Sequence, residues 1–174
     1  MARVPNDTVA KWQTCHYVGD MNLTDTVNQF HQAYSRHDLE GLLAHLTDDV
    51  VIQFPTSPQP IRGKESIRPV WAEVLSTIIP DIQQELLSTV EQGRTVACEF
   101  TETGTLTIPA AAAESAGLSP DGRPYRLTMV SFYDFTVDGL IANIRSYWDT
   151  GSFAEQIGID IAVIRAMQVR EHAA

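Results

Sequence analysis

The stretch YRLTMVSFYDFTVDGLIANIRSYW, residues 125–148, decides the fold. It holds two long runs rich in β-branched and aromatic residues, Tyr125–Val137 and Leu140–Trp148. Between them stands Asp138-Gly139, a dipeptide that favours the tight turn of a β-hairpin. The stretch therefore predicts two antiparallel strands that pair with each other.

Two more β-prone runs precede this hairpin, at Ile82–Val90 and Thr95–Ile108, and a turn at residues 91–94 joins them. Together the four runs predict an antiparallel meander. Further upstream, a short run at Val50–Phe54 predicts one more strand, which ends at Pro55. The residues that follow it, TSPQPIRG, are typical of a turn.

Helical spacing of apolar residues predicts three helices before the meander. The first begins at Leu23, with Thr24 and Asp25 as its expected caps, Asp38 caps the second, and the third spans Gly63–Ser76. The order helix, helix, strand, helix and four strands predicts an α+β domain. We expect a cone in which a curved antiparallel sheet wraps around the N-terminal helices, with its mouth near the strand ends.

The sequence predicts one domain at residues 23–174. An arm at residues 1–22, in which apolar residues have no clear periodic spacing, precedes it. Pro109–Pro124 interrupts the meander with four consecutive alanines, and predicts a mobile flap over the mouth or a short helical excursion. Ser152–Val169 returns to helical period, with Gly158 as an interruption.

Charge and hydropathy exclude two classes of partner. The 174 residues carry a net charge of −10, whereas binding to nucleic acid or to an anionic membrane requires basic patches. No apolar run approaches the roughly 18 to 20 residues of a membrane span. We therefore expect neither a nucleic-acid partner nor a membrane partner.

The two cysteines, Cys15 and Cys98, lie far apart and outside any CxxC or Cys/His cluster. The sequence thus signals neither a disulfide framework nor a zinc site. Near the N-terminus, residues 5–7 are Pro-Asn-Asp, where a secretion signal needs an apolar core. These features predict a cytoplasmic protein without a bound metal.

Three stretches resemble the nuclear transport factor 2-like superfamily, and within it the SnoaL-like polyketide cyclases and the limonene-epoxide hydrolase group. They are AYSRHDLEGLLAHLTDDVVIQFP (33–55), IRGKESIRPVW (61–71) and YDFTVDGLIANIRSYWDTGSFAEQIG (133–158). The resemblance implies the cone fold, a pocket for a hydrophobic small molecule and a homodimer formed through the outer faces of the sheets. It implies no single reaction, because this scaffold hosts isomerases, cyclases, dehydratases, epoxide hydrolases and non-catalytic binders.

The catalytic groups of three enzyme classes within this superfamily do not match the chain. Where ketosteroid isomerases hold a catalytic Tyr and Asp, this chain has Phe30 and Phe54. Where the cyclases hold an acid, it has Ser146. Of the Arg and two carboxylates of the epoxide hydrolases, Glu102 is the one plausible counterpart.

The period of two along each strand, combined with the resemblance, predicts which side chains face the pocket. Ser146 and Trp148 share one face of the last strand, and Phe100 and Glu102 share one face of a middle strand. The candidate catalytic residues are Glu102, Asp149 and Ser146, and the candidate substrate-binding residues are Phe30, Tyr34, Phe54, Trp71, Phe100, Met129, Ser131 and Trp148.

Several of these residues have a structural alternative. Glu102 is either a solvated strand residue or, if buried against Phe100 and Trp148, a general acid or base with a raised pKa. Asp149 either transfers a proton or caps the helix that Thr150 begins.

We expect no catalytic role for His31, His37, His45 or Arg145. His31 and His45 are read as exposed helix residues, and His37 as part of a connecting turn. Arg145 faces outward, where it would pair across a dimer interface or with a carboxylate on a neighbouring strand.

These observations predict a cofactor-independent enzyme that promotes cyclisation or rearrangement of a hydrophobic, polyketide- or terpenoid-like intermediate. Enclosure in a dry aromatic pocket would fold the substrate into a reactive conformer while a carboxylate moves a proton. A non-catalytic ligand-binding or assembly domain is the alternative from another class. An epoxide-opening hydrolase or cyclase is a further alternative.

Overall fold

The computed structural model describes residues 22–57, 59–108, 110–116 and 122–162. The predicted arm at residues 1–22 lies outside this part of the chain except for Asn22, and so does the end of the tail from residue 163. The elements are α1 (Leu23–Ser35), α2 (Leu39–Ala44), β1 (Leu46–Gln53), β2 (Ile61–Arg62), α3 (Lys64–Glu73), β3 (Gln83–Gln92), β4 (Thr95–Leu106), α4 (Ala110–Ala116), β5 (Arg123–Phe135), β6 (Ile141–Tyr147) and α5 (Thr150–Ile157).

One six-stranded sheet, in the order β2-β1-β6-β5-β4-β3, forms the scaffold. Strands β3 to β6 pair antiparallel in sequence, which confirms the predicted meander. Strand β1 pairs parallel with β6, a neighbour that the sequence pattern did not assign. The segment expected to be only a turn also contains the two-residue strand β2, which pairs with Val51 and Ile52 of β1.

Irregularities in strand pairing help to bend the sheet into a cone. The register shifts between Leu86 and Ser88 in β3 and between Asp134 and Phe135 in β5. Such bulges bend a strand and increase its local twist. The curved, unclosed sheet wraps around α1, which packs against β3 and β4, so the expected α+β cone is confirmed.

The ends of the first helices follow local capping chemistry, with one correction. The N-cap of α1 is Asn22, whose side chain accepts from the N–H of Asp25 over 3.2 Å, so the expectation that Thr24 or Asp25 caps this helix is wrong. Because the helix already begins at Leu23, those residues lie in its first turn, where free N–H groups need an acceptor from outside. Asp38 caps α2 as predicted, accepting from Gly41.

A π-helical turn, Val74–Ile78, extends α3 towards the start of β3. The carbonyl of Ile78 accepts from the N–H of Thr107 over 2.7 Å, which joins this turn to the end of β4. A Cβ atom on Gly104 would come within 2.4 Å of the Ile79 side chain, so the glycine allows β4 to pack closely here. The turn therefore has a fixed position beside the inner face of the sheet.

The segment between β4 and β5 contains α4, which confirms the helical excursion within Pro109–Pro124. Whether this segment is also a mobile flap stays a prediction. The tail forms α5, which Gly158 caps in a left-handed conformation with φ of 65°, and residues 161–162 are helical again. No helix in the described ranges is long and apolar enough to span a membrane.

Candidate functional site

A cavity of 740 Å³ lies between α1, α3 with its π-helical turn, and the inner face of the sheet. This volume falls in the range of small-molecule sites. All eight predicted substrate-binding residues line it, together with Glu102 and Ser146. The structure thus brings together every predicted site residue except Asp149.

The alternation of side chains along the strands explains this agreement. Phe100 on β4 pairs with Met129 on β5, and both face inward. Ser131 on β5 pairs with Ser146 on β6, and their hydroxyl oxygens are 2.8 Å apart. The inner face of the meander is therefore one continuous wall of the cavity.

Aromatic rings form much of the remaining lining. The Trp71 ring contacts Phe30 and Tyr34 edge-on, with centroid separations of 5.8 and 6.0 Å. Phe54 packs against Trp148 at a tilt, with centroids 6.1 Å apart. These separations are typical of stabilising aromatic pairs, so the rings support one another as an apolar wall.

Glu102 is the carboxylate of the inner wall. Its Oε2 accepts from the Nε2 of Gln84 over 2.7 Å, and its Oε1 accepts from the hydroxyl of Tyr125 over 2.9 Å. Burial raises the pKa of Glu102 above its usual value, and these two hydrogen bonds offset only part of that rise. The structure places Glu102 in the cavity and not on the solvated side of the strand.

Two tyrosine hydroxyls near Glu102 stay protonated. Burial raises the pKa of both Tyr34 and Tyr125 far above the usual value, and the negative charge of Glu102 raises it further. Neutral phenols are hydrogen-bond donors. The polar end of the cavity therefore offers one carboxylate beside two phenol groups.

A hydrogen-bond chain continues from Glu102 into the core. The Oε1 of Gln84 lies 2.7 Å from Nδ1 of His31, and the Nε2 of His31 lies 3.0 Å from the Tyr133 hydroxyl. An amide oxygen only accepts, so Nδ1 of neutral His31 must carry the proton and Nε2 must accept from Tyr133. The chain thus has one direction, from Tyr133 through His31 and Gln84 to Glu102.

The expectation that His31 is exposed is wrong, since only 2% of the residue is accessible. α1 lies inside the cone, so the helix face that carries His31 packs against the sheet, where His31 also lies 3.5 Å from the Sγ of Cys98. Burial lowers the pKa of His31 to about 4, so the ring is neutral at pH 7. A signal was present in the sequence, because His31 follows the buried Val27 by four residues and shares its helix face.

His45 and His37 have different surroundings. His45 is half-buried, with its ring 6.3 Å from that of Phe30, so the expectation of an exposed residue is wrong here too. Burial lowers its pKa. His37 lies in the connecting turn as predicted, with a positive φ of 57°.

Asp149 and Arg145 have structural partners away from the cavity. The Oδ1 of Asp149 accepts from the backbone N–H groups of Gly151 and Ser152, and so caps α5. Arg145 forms an ion pair of 2.5 Å with Asp134 on the neighbouring strand. The structure thus follows the alternative in which Asp149 is a helix cap.

Sequence reasoning missed the two partners of Glu102. Tyr125 lies two residues before Leu127 on the inner face of β5, so strand alternation could have identified it. Gln84 has no such signal, because only the pairing of β3 with β4 places it opposite Glu102. Within the described part of the chain, no three His, Cys, Asp or Glu side chains are grouped to bind a metal ion.

The family profile of the SnoaL-like domain matches residues 27–144, about two thirds of the chain. The chain belongs to the SnoaL-like domain family. The resemblance drawn from the sequence motifs is thereby confirmed. The matched range contains the cavity-lining residues of this SnoaL-like domain from Phe30 to Ile144. The remaining lining residues, Ser146, Trp148 and Phe153, follow it in the chain.

Solved structures share the fold of this SnoaL-like domain. A candidate polyketide cyclase from Silicibacter sp. TM1040 is 26% identical, with a TM-score of 0.62 over 78% of this chain and 94% of that one. A candidate polyketide cyclase from Pseudomonas putida KT2440 is 24% identical, with a TM-score of 0.64 over 79% and 98% of the two chains. AclR of Streptomyces galilaeus, a candidate hydroxylase, is 21% identical, with a TM-score of 0.63 over 78% and 95%. No curated protein sequence gives a significant match.

Proposed function

We propose that this SnoaL-like domain is a cofactor-independent enzyme that promotes cyclisation or rearrangement of a hydrophobic, polyketide- or terpenoid-like intermediate. The observation that carries the proposal is Glu102, a carboxylate with a raised pKa inside an aromatic cavity. A general acid or base is most effective when its pKa lies near the working pH. The names of the two candidate polyketide cyclases add support for the substrate class.

Glu102 would act first as a base and then as an acid. As a carboxylate it takes a proton from a carbon next to a substrate carbonyl, and the electron pair left on that carbon attacks a second carbonyl carbon. A C–C bond forms, and the second carbonyl becomes an alkoxide. Glu102 then returns the proton to the alkoxide, so the product is an isomer of the substrate and the enzyme is unchanged.

The neighbours of Glu102 suit both halves of this cycle. The donors Gln84 and Tyr125 hold the carboxylate in place, which keeps the base oriented towards the cavity. The Tyr34 hydroxyl remains a neutral donor near the charge of Glu102, and can stabilise a developing negative oxygen. The aromatic wall excludes water and restricts a flexible substrate to few conformers.

Turnover of neutral polyketide-type intermediates tests the proposal. Purified protein is incubated with each compound, and products are separated by chromatography and weighed by mass spectrometry. A new retention time at unchanged mass is the expected result, since ring closure by this route loses no atoms. Glu102→Gln should slow formation of the new product by roughly 10²-fold or more, whereas Asp149→Asn, altered outside the cavity, should leave it unchanged.

A non-catalytic ligand-binding or assembly domain is the second candidate function. It is favoured by the residues at the family's catalytic positions, because Phe30, Phe54 and Ser146 replace the groups expected there. Tight binding of the same intermediates without any new product would support this candidate and contradict the first. Epoxide opening has weaker support, since no arginine is among the described cavity-lining residues.

A further inference from the structure

His31 is a buried polar side chain that the proposed mechanism does not use. It is not among the residues that line the cavity, yet both of its ring nitrogens have partners. Nδ1 lies 2.7 Å from Oε1 of Gln84, and Nε2 lies 3.0 Å from the Tyr133 hydroxyl and 3.5 Å from the Sγ of Cys98. Burying a polar ring costs free energy that an apolar residue would not cost. What His31 adds at this place is therefore a pair of directed hydrogen bonds.

Two donors converge on the Nε2 of His31. The Tyr133 phenol and the Cys98 thiol both keep their protons, because burial raises the pKa of Tyr133 well above its usual value and that of Cys98 to about 12. A neutral imidazole carries one proton, and the hydrogen bond at one nitrogen decides which nitrogen holds it. Nε2 is the acceptor, so the proton is held on Nδ1, which faces Gln84.

Glu102 by itself orients the Gln84 amide only while Glu102 is ionised. A carboxylate accepts and does not donate, so it faces the amide nitrogen of Gln84. Once Glu102 has taken up a proton, its carboxyl group is also a donor, and an amide turned end for end would offer it an acceptor oxygen. That hydrogen bond would stabilise the protonated form and hinder return of the proton to the substrate.

His31 opposes this turn of the Gln84 amide. In the turned amide, the N–H groups of Gln84 would face the Nδ1–H of His31, and two buried donors would meet without an acceptor. Burial lowers the pKa of His31 to about 4, so the ring is neutral at pH 7 and adds no charge beside Glu102. The influence of His31 on Glu102 is therefore directional and passes through Gln84.

We propose that His31 is a positioning residue of this site: its Nδ1–H holds the oxygen of Gln84, so that the amide nitrogen of Gln84 faces Glu102 whether Glu102 is ionised or protonated. The inference rests on the proposed function in that Glu102 is the group that moves the proton. It concerns the state of Glu102 in the free protein, so it is measured without substrate.

The test compares two amides at position 31 by titrating Glu102 in protein with ¹³C-labelled glutamate. His31→Asn places an amide nitrogen near the position of Nδ1 and restores the donor to Gln84, whereas His31→Gln places its amide near the position of Nε2. One neutral hydrogen bond corresponds to a factor of about 3 to 10, so His31→Gln should raise the ratio of protonated to ionised Glu102 by this factor at a given pH. His31→Asn should leave the ratio close to that of the unaltered protein.

A double variant tests whether the effect passes through Gln84. Without the Gln84 amide nothing can turn, so His31→Gln should have no further effect on Glu102 when it is combined with Gln84→Ala. A merely structural role of His31 predicts something else, namely lower stability in both amide variants and no difference between them in the titration of Glu102. Tyr34 and Tyr125, the phenols beside Glu102, stay neutral throughout, so the titration reports the carboxyl group.

A second measurement uses the unaltered protein and decides the question even if the variants do not fold. The ¹⁵N resonances of the His31 ring show which nitrogen carries the proton. Nδ1 should carry it both above and below the pH at which Glu102 titrates, as long as the ring itself stays neutral. A proton on Nε2, or a change of tautomer as Glu102 is protonated, would overturn the inference.

Two results in the variants would also overturn it. They are an unchanged Glu102 titration in His31→Gln, and an equal effect of His31→Gln with and without Gln84→Ala. Failure of the proposed function looks different. In that case the titrations behave as expected, but Glu102→Gln forms the same products from candidate intermediates at the same rate as the unaltered protein.

Discussion

Gln84 on β3 stands directly opposite Glu102 on β4, and its amide nitrogen donates a 2.7 Å hydrogen bond to the Glu102 carboxylate. The other end of the same amide accepts from His31. Because a carboxylate only accepts, Glu102 takes the donor end of the Gln84 amide and leaves its acceptor end for the Nδ1–H of His31. The side chain that holds the carboxylate is thus itself held by a histidine in the core.

Glu102→Gln should lower turnover by roughly 10²-fold or more while ligand affinity changes little. The amide that replaces the carboxylate in this variant keeps the size of the side chain. It can accept from Gln84 and donate to the Tyr125 oxygen, but it cannot take up and return the substrate proton. Steady-state kinetics on the identified substrate measures the effect. Ser146→Ala should cost less, since a hydroxyl orients substrate but carries protons poorly near neutral pH. If Asp149→Asn were the crippling change instead, the assignment to Glu102 would be wrong.

Gln84→Ala should raise the pKa of Glu102 further. The hydrogen bond from Gln84 favours the charged carboxylate, so its loss leaves burial less opposed. A base must be ionised to act, and the rising limb of the pH–rate profile should therefore move to higher pH. The carboxyl resonance of ¹³C-labelled glutamate provides the same titration without substrate. Gln83→Ala, which alters the exposed neighbouring glutamine, should leave the titration unchanged.

His31 should make the folded state sensitive to mild acid. Its pKa falls from 6.5 to about 4 on folding, so the unfolded chain binds a proton between these values and the folded chain does not. The contribution to stability is complete above pH 6.5 and is lost as the pH falls to 4, to an extent of about 3 kcal/mol. Urea unfolding at pH 7 and pH 4 should show a larger loss for the unaltered protein than for His31→Gln. Equal losses would show that folding does not lower the pKa of His31.

The hydroxyl pair of Ser131 and Ser146 should behave as one unit. Both residues are buried, and each single change to alanine leaves the other hydroxyl without its partner, at a cost of about 1–3 kcal/mol. The double variant removes both polar groups. Its loss of unfolding free energy, measured by urea denaturation, should therefore be smaller than the sum of the two single losses. Additive losses would mean that the two hydroxyls are stabilised independently.

We propose that the protein forms a homodimer through the outer face of the sheet. Val130 and Tyr147 are neighbours in the β5/β6 register, and they are 37% and 51% exposed. A lysine at Tyr147 would place a charge in this apolar patch, so Tyr147→Lys should convert the dimer to a monomer. Light scattering measures the mass, and Val90→Lys, on the edge strand β3, serves as the control. A monomeric mass for the unaltered protein at micromolar concentration contradicts the proposal.

Local sequence patterns determined the helices and strands of this protein and the face of the sheet on which each strand side chain lies. The Asp138-Gly139 turn placed the β5/β6 hairpin, and Asp38 placed the start of α2. The period of two put Phe100 and Glu102 on the same wall, because successive side chains of a strand point to opposite faces. These features follow from interactions within a few residues, which a sequence displays directly.

The tertiary structure decided which of these side chains meet. Gln84 lies opposite Glu102 only because of the register in which β3 and β4 pair. From Ser88 onward, after a bulge near Leu87, that register is shifted by one residue. His31 is buried because α1 lies inside the cone, a placement set by the packing of the whole sheet. The sequence around Asp149 was compatible with a residue in the pocket and with a helix cap. The backbone turns into α5 directly after β6, and this makes Asp149 the cap. Strand register and helix docking depend on contacts between residues far apart in the chain, and no local pattern of one sequence encodes them.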